Sequence, residues 1–277
     1  MFTVVDQAER IVVMNTWPPK RIVSLVPSQT ELLHYLGLEN EVVGITKFCV
    51  HPESWFSTKQ RIGGTKTVHI DAVKALKPDI ILANKEENVK EQIEALEEIA
   101  PVWVSDVNTF EAALQMITEV GEIVDKLFEA ETLRQEILRR FAVLPGPGRL
   151  LENGLPVNIA YLIWREPYMT VGGDTFINDM IKLAGCRNVF ENEERYPQIE
   201  LEQISQLHCR YVFLSSEPYP FKPKHAEEIR NTLPGIDIIF VDGEMFSWYG
   251  SRLLQAAQYL KELNQRLNPM PGEEHWV

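Results

Sequence analysis

Twice along this chain, short β-branched runs alternate with helix-patterned stretches, and no other feature restricts its fold as much. Arg21-Ile22-Val23-Ser24-Leu25-Val26 reads as a buried strand closed by Pro27. Ser28-Gln29-Thr30-Glu31 has the form of a capping box, with Ser28 at the N-cap and Glu31 at N3. The helix it opens runs through Leu32, Leu33, Tyr35 and Leu36 and stops at Gly37. A strand over 41–46 follows, then a short helix over about 71–76 and the strand Ile80-Ile81-Leu82-Ala83. A helical stretch over 86–99 and the strand Val102-Trp103-Val104 complete the first series. Strands separated by helices build a parallel sheet covered on both faces.

Two amphipathic segments come next. In the first, Phe110, Ala113, Leu114, Ile117, Val120 and Val124 recur at intervals of three and four. In the second, over about 127–141, the repeats are Ala130, Leu133, Ile137 and Phe141. Leu144-Pro145-Gly146-Pro147-Gly148 then ends any helix. Beyond it the alternation restarts. Strand Val157 to Ile163 is followed by a Gly172-Gly173 loop and a helix capped by Asp174 and closed at Gly185. Strands over 210–214 and 237–242 and a helix over 252–267 echo the order of the first half. The expected organisation is α/β in two lobes, each a mainly parallel sheet flanked by helices. The N-terminal lobe covers 1–126, a single bridging helix 127–143 and the C-terminal lobe 144–277.

Composition narrows the function. The 277 residues carry 27 Lys and Arg against 40 Asp and Glu, a formal charge of −13. A nucleic-acid binder displaces counterions from phosphates with cations, and this balance argues against one. No apolar run approaches the ~20 residues that span a bilayer. Cys49, Cys186 and Cys209 are too few and too scattered for a disulfide framework and read as packed thiols. The stretch from Met1 to Arg10 has neither a basic leader nor a long apolar core, so with Met1 as the native start the chain stays in the cytoplasm.

In open parallel sheets ligands bind beyond the carboxyl ends of the strands, and two facing lobes would form a cleft there. In the first lobe the residues so placed are Lys47, Phe48 and His51, then Lys85. In the second they are Trp164, Arg165 and Tyr168, then Tyr196, Glu217, Met245, Phe246, Trp248 and Tyr249. Rings crowded into loops need an apolar partner, either the sheet end they plug or a large ligand. On the second reading Arg165 and Lys47 meet its anionic groups. Signatures of catalysis are missing: no G-x-G-x-x-G, Walker A loop, H-E-x-x-H or G-x-S-x-G occurs. Gly63-Gly64-Thr65-Lys66-Thr67 lacks the glycine spacing of a phosphate loop. Cys49 and His51 are a pair, whereas a zinc site takes three or four protein ligands. His34, His69, His208 and His225 read as packed or surface histidines. We expect no catalytic residues, no protein-only metal site and no intrinsic cofactor.

The segments Arg21 to Glu31, Ala75-Leu76-Lys77-Pro78-Asp79-Ile80-Ile81, Pro197 to Gln203 and Phe246-Ser247-Trp248-Tyr249-Gly250-Ser251-Arg252-Leu253 carry a resemblance. Together they resemble the substrate-binding proteins of ABC importers for cobalamin, ferric siderophores and haem, over nearly the whole chain. The resemblance implies two lobes bridged by one long stiff helix, small lobe movement, and binding without chemistry. It also implies one surface carboxylate per lobe that docks on arginines of the permease, at Asp71 and Glu202 here. Asp71 stands where the family usually has Glu. The pocket aromatic of the cobalamin branch falls on Met245. A periplasmic or cell-envelope location is implied too, against the cytoplasmic reading of the leaderless start.

The expected function is therefore non-catalytic binding of a metal chelate (a corrinoid, ferric siderophore or haem) by a monomer. One alternative is a two-lobed enzyme, a nucleotide-sugar transferase or chelatase, using His51, Glu86, Glu217 and Asp242. Others are an intracellular metal-chelate carrier and a protein-binding scaffold.

Overall fold

The computed structural model describes residues 1–144 and 157–267. The elements follow in chain order. The first part holds β1 (Phe2–Val5), β2 (Ile11–Met14), β3 (Ile22–Ser24), α1 (Pro27–Tyr35), β4 (Val42–Ile45), α2 (Glu53–Thr58), β5 (Gln60–Arg61), β6 (Gly63–Gly64) and β7 (Thr67–Val68). After these come α3 (Ile70–Leu76), β8 (Ile80–Asn84), α4 (Lys90–Glu97), β9 (Val102–Ser105), α5 (Phe110–Ile123) and α6 (Leu127–Phe141). The second part holds β10 (Val157–Leu162), α7 (Phe176–Leu183), β11 (Cys186–Asn188), α8 (Leu201–Gln206) and β12 (Tyr211–Ser215). It ends with α9 (Pro223–Thr232), β13 (Asp237–Val241), α10 (Glu244–Ser247) and α11 (Leu253–Leu267). The breaker at 145–148 lies outside the described residues.

Two compact units emerge. Unit 1 takes 1–107, 111–136 and the short segment 248–252; unit 2 takes 108–110, 137–247 and the chain from Leu253. The division falls inside α6, between Glu136 and Ile137. Each unit is a mainly parallel sheet flanked by helices, as the alternation predicts.

In unit 1 the sheet order is β5-β4-β3-β8-β9, with every neighbouring pair parallel. All residues of β3, β8 and β9 are buried. Strands covered on both faces are apolar throughout, which is why they read as continuous runs. On α5, Ala113, Leu114, Ile117 and Val120 form the buried stripe that the spacing predicts. Gly121 brings α5 close to the start of α6: a Cβ there would lie 2.3 Å from Cβ of Ala130.

The outer edge of β9 is satisfied by side chains rather than by another strand. The β1–β2 hairpin is antiparallel, and its turn presents three polar groups. Asp6 Oδ2 accepts from the Val104 N–H at 3.2 Å, and Arg10 donates to the Val102 carbonyl at 2.9 Å. Gln7 Oε1 accepts from the Asp106 N–H at 3.0 Å. Edge backbone groups with such partners cannot pair with another chain.

Unit 2 has the all-parallel order β11-β10-β12-β13. Its central strands β10 and β12 are almost wholly buried, whereas the edge strand β13 is partly exposed.

Three local expectations are corrected. Helix α1 has no capping box: its N-cap is Val26, Pro27 occupies the first turn, and no side chain caps it. Proline has no N–H to lose at that position and a φ already suited to it, so the helix begins two residues early. Asp174 does not cap α7; Thr175 does, accepting from the Asn178 N–H at 3.2 Å. Asp174 instead accepts from the Arg195 N–H at 2.6 Å. Finally, α4 starts at Lys90 rather than near 86, because Asn84 Oδ1 accepts from the N–H groups of Glu86 and Glu87 and turns that stretch into a loop.

Candidate functional site

Most candidate residues stand just past the carboxyl ends of their unit's strands; Trp248 and Tyr249, expected in the second lobe, are corrected, since the segment 248–252 groups with unit 1. In unit 2 the loop after β10 folds back on itself. Ile163 N–H donates to the Met169 carbonyl at 3.0 Å and Met169 N–H to the Trp164 carbonyl at 3.2 Å. The segment carrying Tyr196 is laced to it, since Thr170, Gly172 and Gly173 donate to the carbonyls of Pro197, Arg195 and Glu193. Both glycines are required by that approach: added Cβ atoms would stand 2.3 and 2.0 Å from the carbonyl oxygens of Glu193 and Glu191.

This anchored loop presents an aromatic corner. The Trp164 ring, 40% exposed, meets Tyr219 edge-on at 5.6 Å. Tyr219 packs on Phe221 at 4.9 Å and on His225 at 5.5 Å. Edge-to-face pairs at these spacings are favourable beyond their buried area. Nδ1 of the buried His225 accepts from the Lys222 N–H at 3.0 Å, and its Nε2 lies 3.4 Å from the Tyr219 hydroxyl. Burial first, and then the neighbouring Lys224 and Arg165 cations, hold the imidazole below its ordinary pKa.

Arg165 stands beside the rings but already has anionic partners. Its guanidinium lies 2.9 Å from Glu228 and 2.5 Å from Glu166, with a second hydrogen bond from Nε to Glu228 at 3.1 Å. The hydroxyls of Tyr168 and Tyr219 also act on its charge. Burial raises the half-buried Tyr168 phenol, opposed by the Arg165 charge. Tyr196 carries the Arg195 guanidinium over its ring at 5.6 Å.

Glu217, after β12, accepts from the Ser247 hydroxyl at 2.5 Å. Beneath it Tyr161 donates to Ser215 at 3.1 Å, and Ser215 donates to the Glu217 carbonyl at 2.6 Å. Burial pushes the Tyr161 phenol far up, so it stays protonated. Met245 is half-buried beside it in sequence. Phe246 is corrected: it is fully buried against Tyr161, Phe213 and Tyr259 at 5.1, 6.4 and 6.2 Å. A ring so enclosed plugs the sheet end and offers no surface to a ligand.

In unit 1, Lys47 lies 5.1 Å over the half-exposed ring of Phe48, a cation–π arrangement. Gly64, in the β6–β7 hairpin, leaves room for both: a Cβ there would stand 3.1 Å from the Phe48 ring. Lys85 pairs with Asp106. His51 meets Trp248 edge-on at 5.5 Å, and the Arg252 guanidinium lies over the Trp248 ring at 5.0 Å. Trp248 and Tyr249 are only 7% and 5% exposed. Tyr249 donates to Glu87 at 3.4 Å, and burial together with that carboxylate raises its phenol.

Cys49 is packed in the interior of unit 1. Its buried thiol is hydrogen-bonded to Thr30 and Thr46 at 3.1 and 3.2 Å, and burial pushes its pKa up to about 11. Among the described residues no group of three or more His, Cys, Asp or Glu is gathered as for a metal ion. Asp71 and Glu202 are exposed in the first turns of α3 and α8, where the helix macrodipole favours a carboxylate.

Two participants escape the sequence reading, Glu228 and His225. Both sit on α9, three residues apart, and their partners lie on other loops. Pro223 marks the helix start, but no local signal ties Glu228 to Arg165.

Parallel sheets whose strand ends carry aromatic side chains set the fold, and comparison with known proteins gives it a family. The chain belongs to the periplasmic binding proteins, whose family description matches residues 22–236. This is a family of non-catalytic solute receptors, so the two-lobed enzyme gives way. Over 262 residues the chain is 25% identical to a vitamin B12-binding protein of Pectobacterium carotovorum, covering 91% of this chain and 90% of that one. It is likewise 25% identical over 270 residues to an uncharacterised ABC transporter substrate-binding lipoprotein of Bacillus subtilis, covering 93% and 84%. A periplasmic haem-binding protein of Pseudomonas aeruginosa shares the fold, with a TM-score of 0.75 at 20% identity over 91% of this chain and 94% of that one. No helix among the described residues is long and apolar enough to cross a membrane.

Proposed function

We propose that this chain is the substrate-binding protein of an ABC importer for a metal chelate, a corrinoid, ferric siderophore or haem. The observation that carries the reading is the aromatic corner of unit 2. Trp164, Tyr168 and Tyr219 stand together after β10 and β12 with Trp164 open to solvent, in a member of a solute-receptor family. Flat conjugated ligands stack on such rings. Lys47, Phe48, His51 and Trp248 of unit 1, and Tyr196, Glu217 and Met245 of unit 2, are the further residues assigned to the ligand. Tyr249, Lys85 and Arg165 are assigned a supporting part, since their polar ends are engaged within the protein.

Relatives include a vitamin B12-binding protein and a haem-binding protein, which sets the ligand class to be tested. Asp71 and Glu202 are assigned to docking on the permease, and the compartment is the periplasm or cell envelope. The chain acts as a monomer.

The test is thermal unfolding with cyanocobalamin, hemin and a ferric hydroxamate siderophore, each at about 100 times an expected micromolar Kd. A ligand bound only by the native state adds about 2.7 kcal/mol at that excess and raises Tm. No shift with any of the three overturns the reading. Charge reversal at Asp71 and Glu202 is expected to weaken association with the permease while chelate binding persists.

A further inference from the structure

We infer that Glu228 is a specificity residue: by holding Arg165 in an internal ion pair, it biases the receptor against chelates that carry carboxylates. The inference rests on the receptor reading and concerns the aromatic corner of unit 2.

Arg165 stands beside the rings, where the hydroxyls of Tyr168 and Tyr219 act on its charge. On its own, a guanidinium beside an aromatic wall would recruit a carboxylate through paired N–H donors. Here those donors are already used. Glu228 takes Nε at 3.1 Å and a terminal nitrogen at 2.9 Å, while Glu166 takes the other terminal nitrogen at 2.5 Å. A side chain with two of its three nitrogens on one carboxylate and the third on another has little left for a ligand's anion.

The arrangement is built by the fold. Glu228 comes from α9, 63 residues from Arg165, and α9 is fixed at its start by the Lys222 N–H bond to His225, which in turn contacts Tyr219. Other charged groups acting on this corner are Lys222 and Lys224 at the exposed start of α9. The two glutamates thus occupy the one guanidinium that stands beside the rings. The chemistry this selects is a neutral or cationic chelate whose rim carries amides, able to hydrogen-bond without a formal anion.

Glu228 is about half exposed, so Glu228→Gln keeps shape and removes charge without opening the core. Affinities of wild type, Glu228→Gln and Arg165→Gln are measured by fluorescence quenching for hemin, which bears two carboxylates, and for cyanocobalamin, whose corrin rim bears amides. Tm of each variant monitors folding. Freeing the guanidinium is worth about 1–2 kcal/mol toward an anion, an increase of about 5–30-fold in the hemin-to-cyanocobalamin affinity ratio. The Arg165→Gln variant is expected to show no such rise, because the gain needs the arginine. An unchanged ratio in Glu228→Gln, or an equal rise in Arg165→Gln, overturns the inference while leaving the receptor reading intact. Wild-type protein and both variants that bind neither probe overturn this inference, and the receptor reading then stands or falls on the ferric siderophore.

Discussion

Arg252→Ala should be among the most damaging single substitutions outside the apolar core. Arg252 forms a two-pronged pair with Glu31, Nε to Oε2 at 3.0 Å and a terminal nitrogen to Oε1 at 2.8 Å. The side chains are 7% and 16% exposed, so both charges are largely withdrawn from water. Removing one partner of a buried pair costs about 3–5 kcal/mol, because the other charge is left uncompensated. The residual exposure of Glu31 places this case near the lower end, at about 3 kcal/mol. Loss of the cation over Trp248 adds about 0.5–1 kcal/mol. With a urea m-value of about 2–3 kcal/mol/M, the midpoint falls by about 1–2 M. Urea titration followed by tryptophan fluorescence measures it. Replacing both partners, Glu31→Leu with Arg252→Met, should recover most of the loss, since no charge is then stranded. A single-variant loss below about 1 kcal/mol would put the pair in the class of solvent-exposed bridges and refute the reasoning.

Other outcomes follow from the same structure. The three thiols should resist a disulfide reagent in native protein at pH 8, because burial raises Cys49 to about 11 and Cys186 and Cys209 to about 12; rapid labelling of any one without denaturant contradicts this. Thr175→Ala should cost about 1 kcal/mol by uncapping α7, read by urea unfolding, whereas Asp174→Ala should leave that helix capped. His225 is held below 6.5 in the fold, so the unfolded chain binds its proton first and stability falls as pH drops from 6.5 toward the native pKa. The Tm advantage of wild type over His225→Gln should shrink across that window, and a constant difference would exclude the histidine as its source.

The α/β order was legible because strands buried on both faces are written as apolar runs, and Ile80 to Leu82 or Val212 to Leu214 admit little else. The amphipathic stripe of α5 was equally plain. Short elements escaped: α8 has six residues and β11 three, too few for a period to show. The β1–β2 hairpin also went unread, though Phe2–Val5 and Ile11–Met14 flank a polar turn. At the candidate site, strand-end position identified the right loops, yet it could not separate Phe246 from Trp164. One ring is sealed under three others and the other stands 40% exposed, a difference set by packing rather than by neighbours in the chain. Charge pairing was the least legible. Glu31 finds Arg252 across 221 residues and Arg165 finds Glu228 across 63, distances over which a sequence carries no local mark.

The polar dressing of β9 has a practical corollary. Because Asp6, Gln7 and Arg10 stand in for a missing neighbour, deleting the first dozen residues would bare a ready template for cross-chain zippering. Such a shortened protein should precipitate or grow into ordered stacks on concentration. Preparations intended for ligand work should therefore keep those residues, however peripheral they look beside the aromatic corner.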